Sequence, residues 1–416
     1  MPIRKKDGTI RLCVDYRKLN QITIPDRYPL PAIGDVISGL GGVKYFTTLD
    51  LVRGYYQMPV EEASREFTAF STPRHHWQFK RLPFGLKNAP AAFQREMQAV
   101  LSGFSWKKVL VYIDDILIVE DSFEKHLDLV KKVLNTLSRH GVKIKPAKCS
   151  WFQSEVEFLG HQINQEGIKK TPSYISKLRD YERPKTIKEI REFLGLVNFQ
   201  RKFMPHCSEI AKPLSKITGG DGKQLVEWTS ERIEAFESLK KIAIEDFELA
   251  YPDYGTQAHP LELSVDASGY GAGACLSQWQ NNVHRVIGYA SMTFSEAQQR
   301  YSTTDRELAA LRWGVKTFKA YLYGTHFYIF TDHRPLIYLQ NMKLIDSRIA
   351  RTLEDLSDYS FKVYYRPGKE NETADALSRI RPEVIEHHEN DTPGDLPEGL
   401  KIISYTKGGG DSMFDS

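Results

Sequence analysis

Residues 109–119 read Val-Leu-Val-Tyr-Ile-Asp-Asp-Ile-Leu-Ile-Val, an apolar run broken only by the adjacent acids Asp114 and Asp115. Its apolar and β-branched content predicts a hairpin with its turn at the acids. Two carboxylates about 4 Å apart repel by roughly 1 kcal/mol in water and by several times that in a less polar site. Asp is also a favoured turn residue, so the dipeptide alone is explained by turn chemistry. A third acid, Asp50, lies near the end of another apolar strand, residues 46–51. A sheet that joins these strands gathers three acids, and a divalent cation offsets the cost of gathering them. Mg²⁺ takes carboxylate and phosphate oxygens, and paired ions stabilise the attacking and leaving oxygens of phosphoryl transfer.

The surrounding pattern to about residue 167 is α+β. Residues 11–16 are strand-like, and Asn88 with Pro90 opens a helix towards residue 101. Leu127, Val130, Leu134 and Leu137 recur at helical spacing before Gly141 stops that helix. From 171 to about 217 the pattern is helical and basic. Thr186 with Glu189 has the capping-box spacing, Ile187, Ile190, Leu194 and Val197 share an apolar face, and Lys185, Lys188 and Arg191 fall on the solvent side. That basic face suits a duplex and equally suits water. Gly219-Gly220-Asp221-Gly222 reads as a linker and residues 233–244 as a helix.

A second α/β pattern begins at Leu261, where Leu261, Leu263 and Val265 alternate before Asp266. Helix 304–322, strand 327–331, helix 348–356 and strand 361–365 follow. Asp266, Glu307, Asp332 and Asp375 fall at element ends, where a single sheet edge can collect them. Each has an ordinary explanation as well: Asp266 and Asp332 as turn formers, Glu307 as the partner of Thr304 in a capping box, and Asp375 as a first-turn acid. Gly269, Gly271 and Gly273 are read as strand-turn glycines, because no helix starts there to make a nucleotide loop.

At 416 residues the chain calls for two to four structural units. No stretch approaches the roughly 20 apolar residues of a membrane helix, and Met-Pro-Ile-Arg-Lys-Lys lacks a signal-peptide core. The expected location is intracellular, in a cytoplasmic particle and the nucleus. Cys13, Cys149, Cys207 and Cys275 lie far apart, with no C-x-x-C pair to suggest a zinc site or a disulfide framework, and are expected to be reduced, mostly buried thiols. A net charge of +4 is mild, but the first 27 residues hold seven Lys or Arg against three Asp. Residues 381–416 hold eight Asp or Glu against three Lys or Arg, so the basic end suits phosphates and the acidic, disordered tail does not.

Longer motifs enclose these acids. Tyr112-Ile113-Asp114-Asp115 resembles the Y-x-D-D signature of reverse transcriptases, and the stretch from Phe46 through Asp50 to Gly54-Tyr55-Tyr56-Gln57 resembles the segment with their first catalytic Asp. Val14-Asp15-Tyr16-Arg17-Lys18-Leu19-Asn20, Leu82-Pro83-Phe84-Gly85-Leu86-Lys87-Asn88-Ala89-Pro90 and Phe158-Leu159-Gly160-His161 match in the family's order. Pro-Phe-Gly-Leu and the later Phe193-Leu194-Gly195-Leu196 point to gypsy-type LTR retrotransposons. The second acid set sits in Val265-Asp266-Ala267-Ser268, Thr304-Asp305-Arg306-Glu307-Leu308, Thr331-Asp332-His333 and Asn371-Glu372-Thr373-Ala374-Asp375, which resemble retroelement RNase H.

The resemblance implies an α+β polymerase right hand of fingers, palm and thumb, followed by an α/β RNase H-like domain with a mixed sheet. The implied limits are 1–168 for N-terminally truncated fingers and palm, 169–218 for a thumb-like segment, 219–258 for a connection, 259–380 for the RNase H-like domain and 381–416 for the tail. Asp50, Asp114 and Asp115 would hold two Mg²⁺ with the Leu51 carbonyl as auxiliary ligand. Asp266, Glu307, Asp332 and Asp375 would hold two more, with Mn²⁺ able to substitute. Lys6 and Arg11 match cations that hold a triphosphate, with Lys5 replacing Lys6 under a shift of one. Tyr55 matches the aromatic that blocks a ribose 2′-hydroxyl, and Phe84 packs near the incoming nucleotide. Phe158, Leu159, Gly160 and His161 match the turn that grips a primer. Tyr365 stands where retroviral enzymes carry a His, implying a different proton or product-release path. Implied partners are an RNA template, a DNA primer, RNA–DNA hybrid, dNTPs and a second copy of the chain on substrate. The alternative is a truncated or domesticated, catalytically silent nucleic-acid-binding remnant.

Overall fold

The computed structural model describes residues 2–4, 8, 10–31, 34, 39–341 and 347–367. Its contacts divide the chain into two units, residues 1–171 and 172–416. Among the described residues, no helix is long and apolar enough to cross a membrane.

The first unit opens with a short hairpin, β1 (Pro2–Arg4) and β2 (Ile10–Leu12). Its main sheet contains β3 (Tyr45–Asp50), β4 (Val109–Tyr112), β5 (Asp115–Glu120) and β6 (Ser150–Gln153), all antiparallel in the order β4-β5-β3-β6. Ile116, Leu117, Ile118 and Val119 are all fully buried, which is why β5 reads as a continuous apolar run rather than an alternating one. Helices α1 (Ala89–Val100) and α2 (Phe123–Arg139) pack on this sheet. Phe93, Met97 and Val100 of the first, and Val130, Val133 and Leu137 of the second, enter one core with Leu49, Val111 and Ile118. Gly141 follows α2 at φ 70°, a left-handed stop that glycine takes without strain.

Asn88 occupies the cap position of α1, but its side chain makes no cap hydrogen bond. It donates instead to the Ile24 carbonyl at 2.9 Å and accepts from the Asp26 N–H at 3.0 Å, so it fastens an upstream segment to the helix start. The strands β7 (Glu155–Phe158), β8 (His161–Asn164) and β9 (Gly167–Lys170) then form an antiparallel meander.

In the second unit, helix α3 (Pro172–Arg179) precedes α4 (Ile187–Phe199), whose N-cap Thr186 accepts from the Glu189 N–H. Ile190, Phe193, Leu194 and Val197 are buried as the spacing requires. Arg191 does not remain a surface cation facing outward: it donates to the carbonyls of Thr218 and Gly220. The Gly219–Gly222 stretch is thereby held on α4, where the Lys188 N–H also donates to the Gly222 carbonyl at 3.0 Å. After the short helices α5 (Cys207–Ile210) and α6 (Lys212–Ser215), helix α7 (Ser230–Ile244) supplies Ala235, Phe236 and Leu239 to the same core.

The remaining sheet contains β10 (Leu261–Ala267), β11 (Gly271–Gln280), β12 (Val283–Thr293), β13 (His326–Thr331) and β14 (Ser360–Tyr365), in the order β12-β11-β10-β13-β14. β10, β11 and β12 are antiparallel neighbours, while β13 runs parallel to both β10 and β14, which makes the sheet mixed. Helix α8 (Thr303–Thr317) buries Leu308, Leu311 and Val315 against Leu263 and Val265. A Cβ on Gly314 would lie 3.0 Å from Val265 Cγ1, so glycine sets how closely α8 approaches β10. Thr304 does not cap α8. Ser302 does, accepting from the Asp305 N–H at 3.1 Å, and Thr304 Oγ1 pairs with His333 Nε2 at 2.9 Å. Glu307 therefore lies inside the helix rather than completing a capping box.

Candidate active sites

In the first unit, register alone brings two acids together, since Asp50 at the end of β3 is the pairing partner of Asp115 at the start of β5. Asp114 sits in the two-residue turn from Tyr112 to Asp115, whose other member, Ile113, has φ 54°. A β-branched residue in that region costs roughly 1–3 kcal/mol and persists only where neighbours impose it. Gln94 imposes it from α1. Its Oε1 accepts from the Ile113 N–H at 2.6 Å and its amide nitrogen donates to the Val111 carbonyl at 3.0 Å, with the side chain fully buried. Gln94→Leu is expected to slow primer extension about 10- to 100-fold and to cost about 1–3 kcal/mol of stability, because two buried backbone groups lose their partner. Extension assays and urea unfolding would check this, and unchanged extension would count against the positioning role.

Asp50 is held from behind, where its carbonyl accepts from the Lys145 N–H at 2.8 Å and Leu51 bridges to Ile144. Gln57 binds both strands at this point, donating to the carbonyls of Val52 and Lys143, each at 2.9 Å. Gly54 faces Asp114, and a Cβ there would come within 3.1 Å of the Asp114 Cβ. Partial burial, together with the negative charges of Asp114 and Asp50, pushes the Asp115 carboxyl up to about 6. A nearby cation is Lys148, whose Nζ is 3.7 Å from Asp50 Oδ2.

The rings of Tyr55 and Phe84 meet at 5.0 Å between centroids, and Phe93 closes on Tyr55 edge-on at 5.3 Å. Asn20 links two of the motifs: its amide donates to the Gly85 carbonyl at 2.8 Å and its oxygen accepts from the Lys87 N–H at 2.8 Å. Leu159 and Gly160, at φ 48° and 75°, form the two-residue turn of the β7–β8 hairpin. Phe158 and His161 flank it with buried side chains, while Leu159 and Gly160 of the turn are half-buried. Arg11 lies in β2, and Lys6 lies outside the described residues.

The second centre is tighter. Because β10 and β13 are parallel, Asp266 near the end of one and Asp332 just beyond the other lie at the same end of the sheet. Glu307 reaches them from α8, and one carboxylate oxygen from each of the three lies within 4.8 Å of the others. Among the described residues this is the one such group of metal-ligating side chains. Glu307 is 4% exposed, and its Oε2 has no hydrogen-bond partner. Burial, with Asp266 and Asp332 beside it, pushes its carboxyl up to about 8. Burial and Asp332 also raise Asp266. An orphaned buried oxygen within a triad of acids is a donor set suited to a divalent cation. Asp375 lies outside the described residues. Tyr365 pairs in register with Thr331, and the Arg334 guanidinium lies 4.8 Å over its ring. A Cβ on Gly271 would strike the Met292 carbonyl oxygen at 2.4 Å, so this glycine serves strand approach.

The family model described as reverse transcriptase (RNA-dependent DNA polymerase) matches residues 3–163, and that for the RNase H-like domain found in reverse transcriptase matches 256–359. The retrovirus-related Pol polyprotein from transposon 297 of Drosophila melanogaster is 43% identical over 401 residues, covering 95% of this chain and 37% of that protein. The Pol polyprotein from transposon gypsy of the same organism is 38% identical, covering 95% of this chain and 39% of its own length. The chain thus spans well under half of these curated relatives. A foamy viral protease-reverse transcriptase in complex with dsDNA superposes with a TM-score of 0.75 at 26% identity, covering 88% of this chain and 76% of that one. The same viral enzyme in complex with RNA/DNA hybrid gives 0.72 at 26% identity, covering 95% and 52%. The chain belongs to the retrovirus-related Pol polyproteins of LTR retrotransposons, of which it spans the reverse transcriptase and RNase H-like domains.

Proposed function

We propose that this chain is an RNA- and DNA-directed DNA polymerase coupled to hydrolysis of RNA in RNA–DNA hybrids, serving retrotransposon replication. The observation that carries the reading is the gathering of acids at two sheet ends, Asp50 paired with Asp115 beside Asp114 in one and Asp266, Glu307 and Asp332 in the other, where burial and crowded like charges raise Asp115, Asp266 and Glu307 and are costly without a cation. Asp50, Asp114 and Asp115 would hold two Mg²⁺ in the first, with the Leu51 carbonyl as auxiliary ligand. Asp266, Glu307 and Asp332, with Asp375, would hold two in the second. Bound ions of this kind neutralise phosphate charge and stabilise the entering and leaving oxygens.

The chain's own residues supply position. In polymerisation the primer 3′-oxygen bonds to the α-phosphorus, its proton leaves, and the bond to pyrophosphate breaks. The Tyr55–Phe84 ring pair, with Tyr55 close enough to feel the Asp114 charge, would serve as a platform for the incoming sugar, with Tyr55 as the group that would exclude a 2′-hydroxyl. Lys6 and Arg11 would hold the triphosphate, and the Leu159–Gly160 turn, flanked by Phe158 and His161, would support the primer end. In hydrolysis a water oxygen bonds to phosphorus as a bond to ribose oxygen breaks. The complexes of the foamy viral enzyme with dsDNA and RNA/DNA hybrid support nucleic-acid duplexes as the partners here. The test is primer extension on poly(rA) with oligo(dT) and Mg²⁺ beside an Asp114→Asn control, and cleavage of labelled hybrid beside Asp266→Asn. Incorporation no greater than its control would sink the polymerase reading, and hybrid RNA as intact as with its control would sink the nuclease reading.

A further inference from the structure

We propose that His206 is a substrate-contacting residue of the nuclease centre, its imidazole pairing with a ribose 2′-hydroxyl of the RNA strand. This deepens the nuclease reading and rests on it. His206 comes from the helical segment, not from the RNase H-like sheet: it is the N-cap residue of α5. That mount is fastened to β12. The Ser208 N–H donates to Ser291 Oγ at 2.9 Å, Ser208 Oγ donates to the Ser291 carbonyl at 2.9 Å, and Arg201 donates to the same carbonyl. Lys212 of α6, with its Nζ 3.3 Å from the centroid of the Tyr270 ring, fixes the segment to the β10–β11 turn.

His206 has φ 51° and ψ 18°, a left-handed conformation that a non-glycine residue holds only where neighbours over-determine it. The result is an imidazole in the cleft that contains Asp266, Ser268, Gly271 and Ser291. It stands over Gly273, the pairing partner of Asp266, where a Cβ would come within 3.8 Å of its Cε1 and Nδ1. The side chain remains 49% exposed, and Glu209 Oε2 is 4.0 Å from its Nδ1.

The cleft's chemistry selects the ligand. Its described lining contains two acids, Asp266 and Glu209, and no Lys or Arg, so the imidazole has no cation within that lining to help it hold a phosphate directly. A hydroxyl both donates and accepts, so it pairs with an imidazole in any tautomer. In an RNA–DNA hybrid the 2′-hydroxyl is the group that only the RNA strand offers, and a contact to it separates hybrid from DNA duplex.

The full chain should be assayed on hybrids whose RNA strand carries single 2′-deoxy substitutions stepped along the cleavage region. Wild type should slow about tenfold at one position near the cut. His206→Ala should cleave all-RNA hybrid about tenfold more slowly and lose sensitivity at that position, while His206→Asn, which tolerates the left-handed backbone, should recover part of the rate. Independently of turnover and of any variant's folding, RNA–DNA hybrid should protect wild-type His206 from carbethoxylation in metal-free buffer several-fold better than DNA duplex, as read by peptide mass spectrometry. Equal protection would overturn the proposal. So would a His206→Ala variant as fast as wild type, or one that is slower yet keeps full sensitivity at every position. A wild type that leaves hybrid intact would overturn the nuclease reading and this inference with it, whereas the preceding outcomes overturn this inference alone.

Discussion

Glu307→Gln is expected to slow cleavage of RNA–DNA hybrid by at least about 10²–10³-fold, leave primer extension intact, and stabilise the metal-free protein at pH 8. The stability gain follows from the carboxyl being pushed up to about 8 in the fold. An unfolded Glu releases its proton near 4.3, so between that pH and 8 the folded state holds the extra proton. Stability of the wild type therefore falls as pH rises through that window. Gln does not titrate, so the variant escapes the loss, with a gain on the order of 4 kcal/mol at pH 8 that disappears below about pH 4. Urea unfolding in EDTA across that range measures the gain. Mg²⁺ should then stabilise wild type more than the variant, because a ligand that binds only the folded state shifts the equilibrium towards it. A gain of equal size at every pH would show that Glu307 is not strained by its charge.

The acids were legible in the sequence because charge inside an apolar run is anomalous by itself. Asp114 and Asp115 announce a turn, and between Asp115 and Glu120 the strand β5 carries only apolar residues on both faces, so nothing there suggests another arrangement. The helix start was harder to read. Thr304 and Glu307 have capping-box spacing, but Ser302, two residues earlier, is the cap and accepts from the Asp305 N–H, which puts Glu307 in the second turn of the helix with its side chain buried. Arg191 was assigned to the solvent face by periodicity, yet carbonyls 27 and 29 residues away hold it. Asn20 and Gln57 lay inside recognised motifs without a role of their own, and Gln94 lay outside every motif. Each amide bonds backbone groups distant in sequence, and such a tie, fully buried in the case of Gln94, is recognised only once the segments it joins are placed. His206 was invisible for the same reason, since only the packing of α5 on β12 brings it to Asp266.

Asp115→Asn is expected to reduce primer extension by at least about 10³-fold while leaving hybrid cleavage within about twofold of wild type. The substitution is nearly isosteric, and the Asp50–Asp115 and Tyr112–Asp115 pairings of the hairpin use backbone groups, so the sheet should remain folded. The loss is then chemical. Nuclease activity is spared because Asp266, Glu307 and Asp332 belong to the other unit of the chain. A second readout comes from protons. With the Asp115 carboxyl pushed up to about 6, a bound ion must displace a proton below that pH and none above it. The Mg²⁺ concentration for half-maximal extension should therefore fall as pH rises from 5 to 7. The same trend should appear in Mg²⁺ binding measured by calorimetry at saturating primer-template, and the contribution from this site should flatten in Asp115→Asn. Undiminished extension by the variant would remove Asp115 from the polymerase centre. An unaltered pH trend would assign the proton competition to another carboxylate.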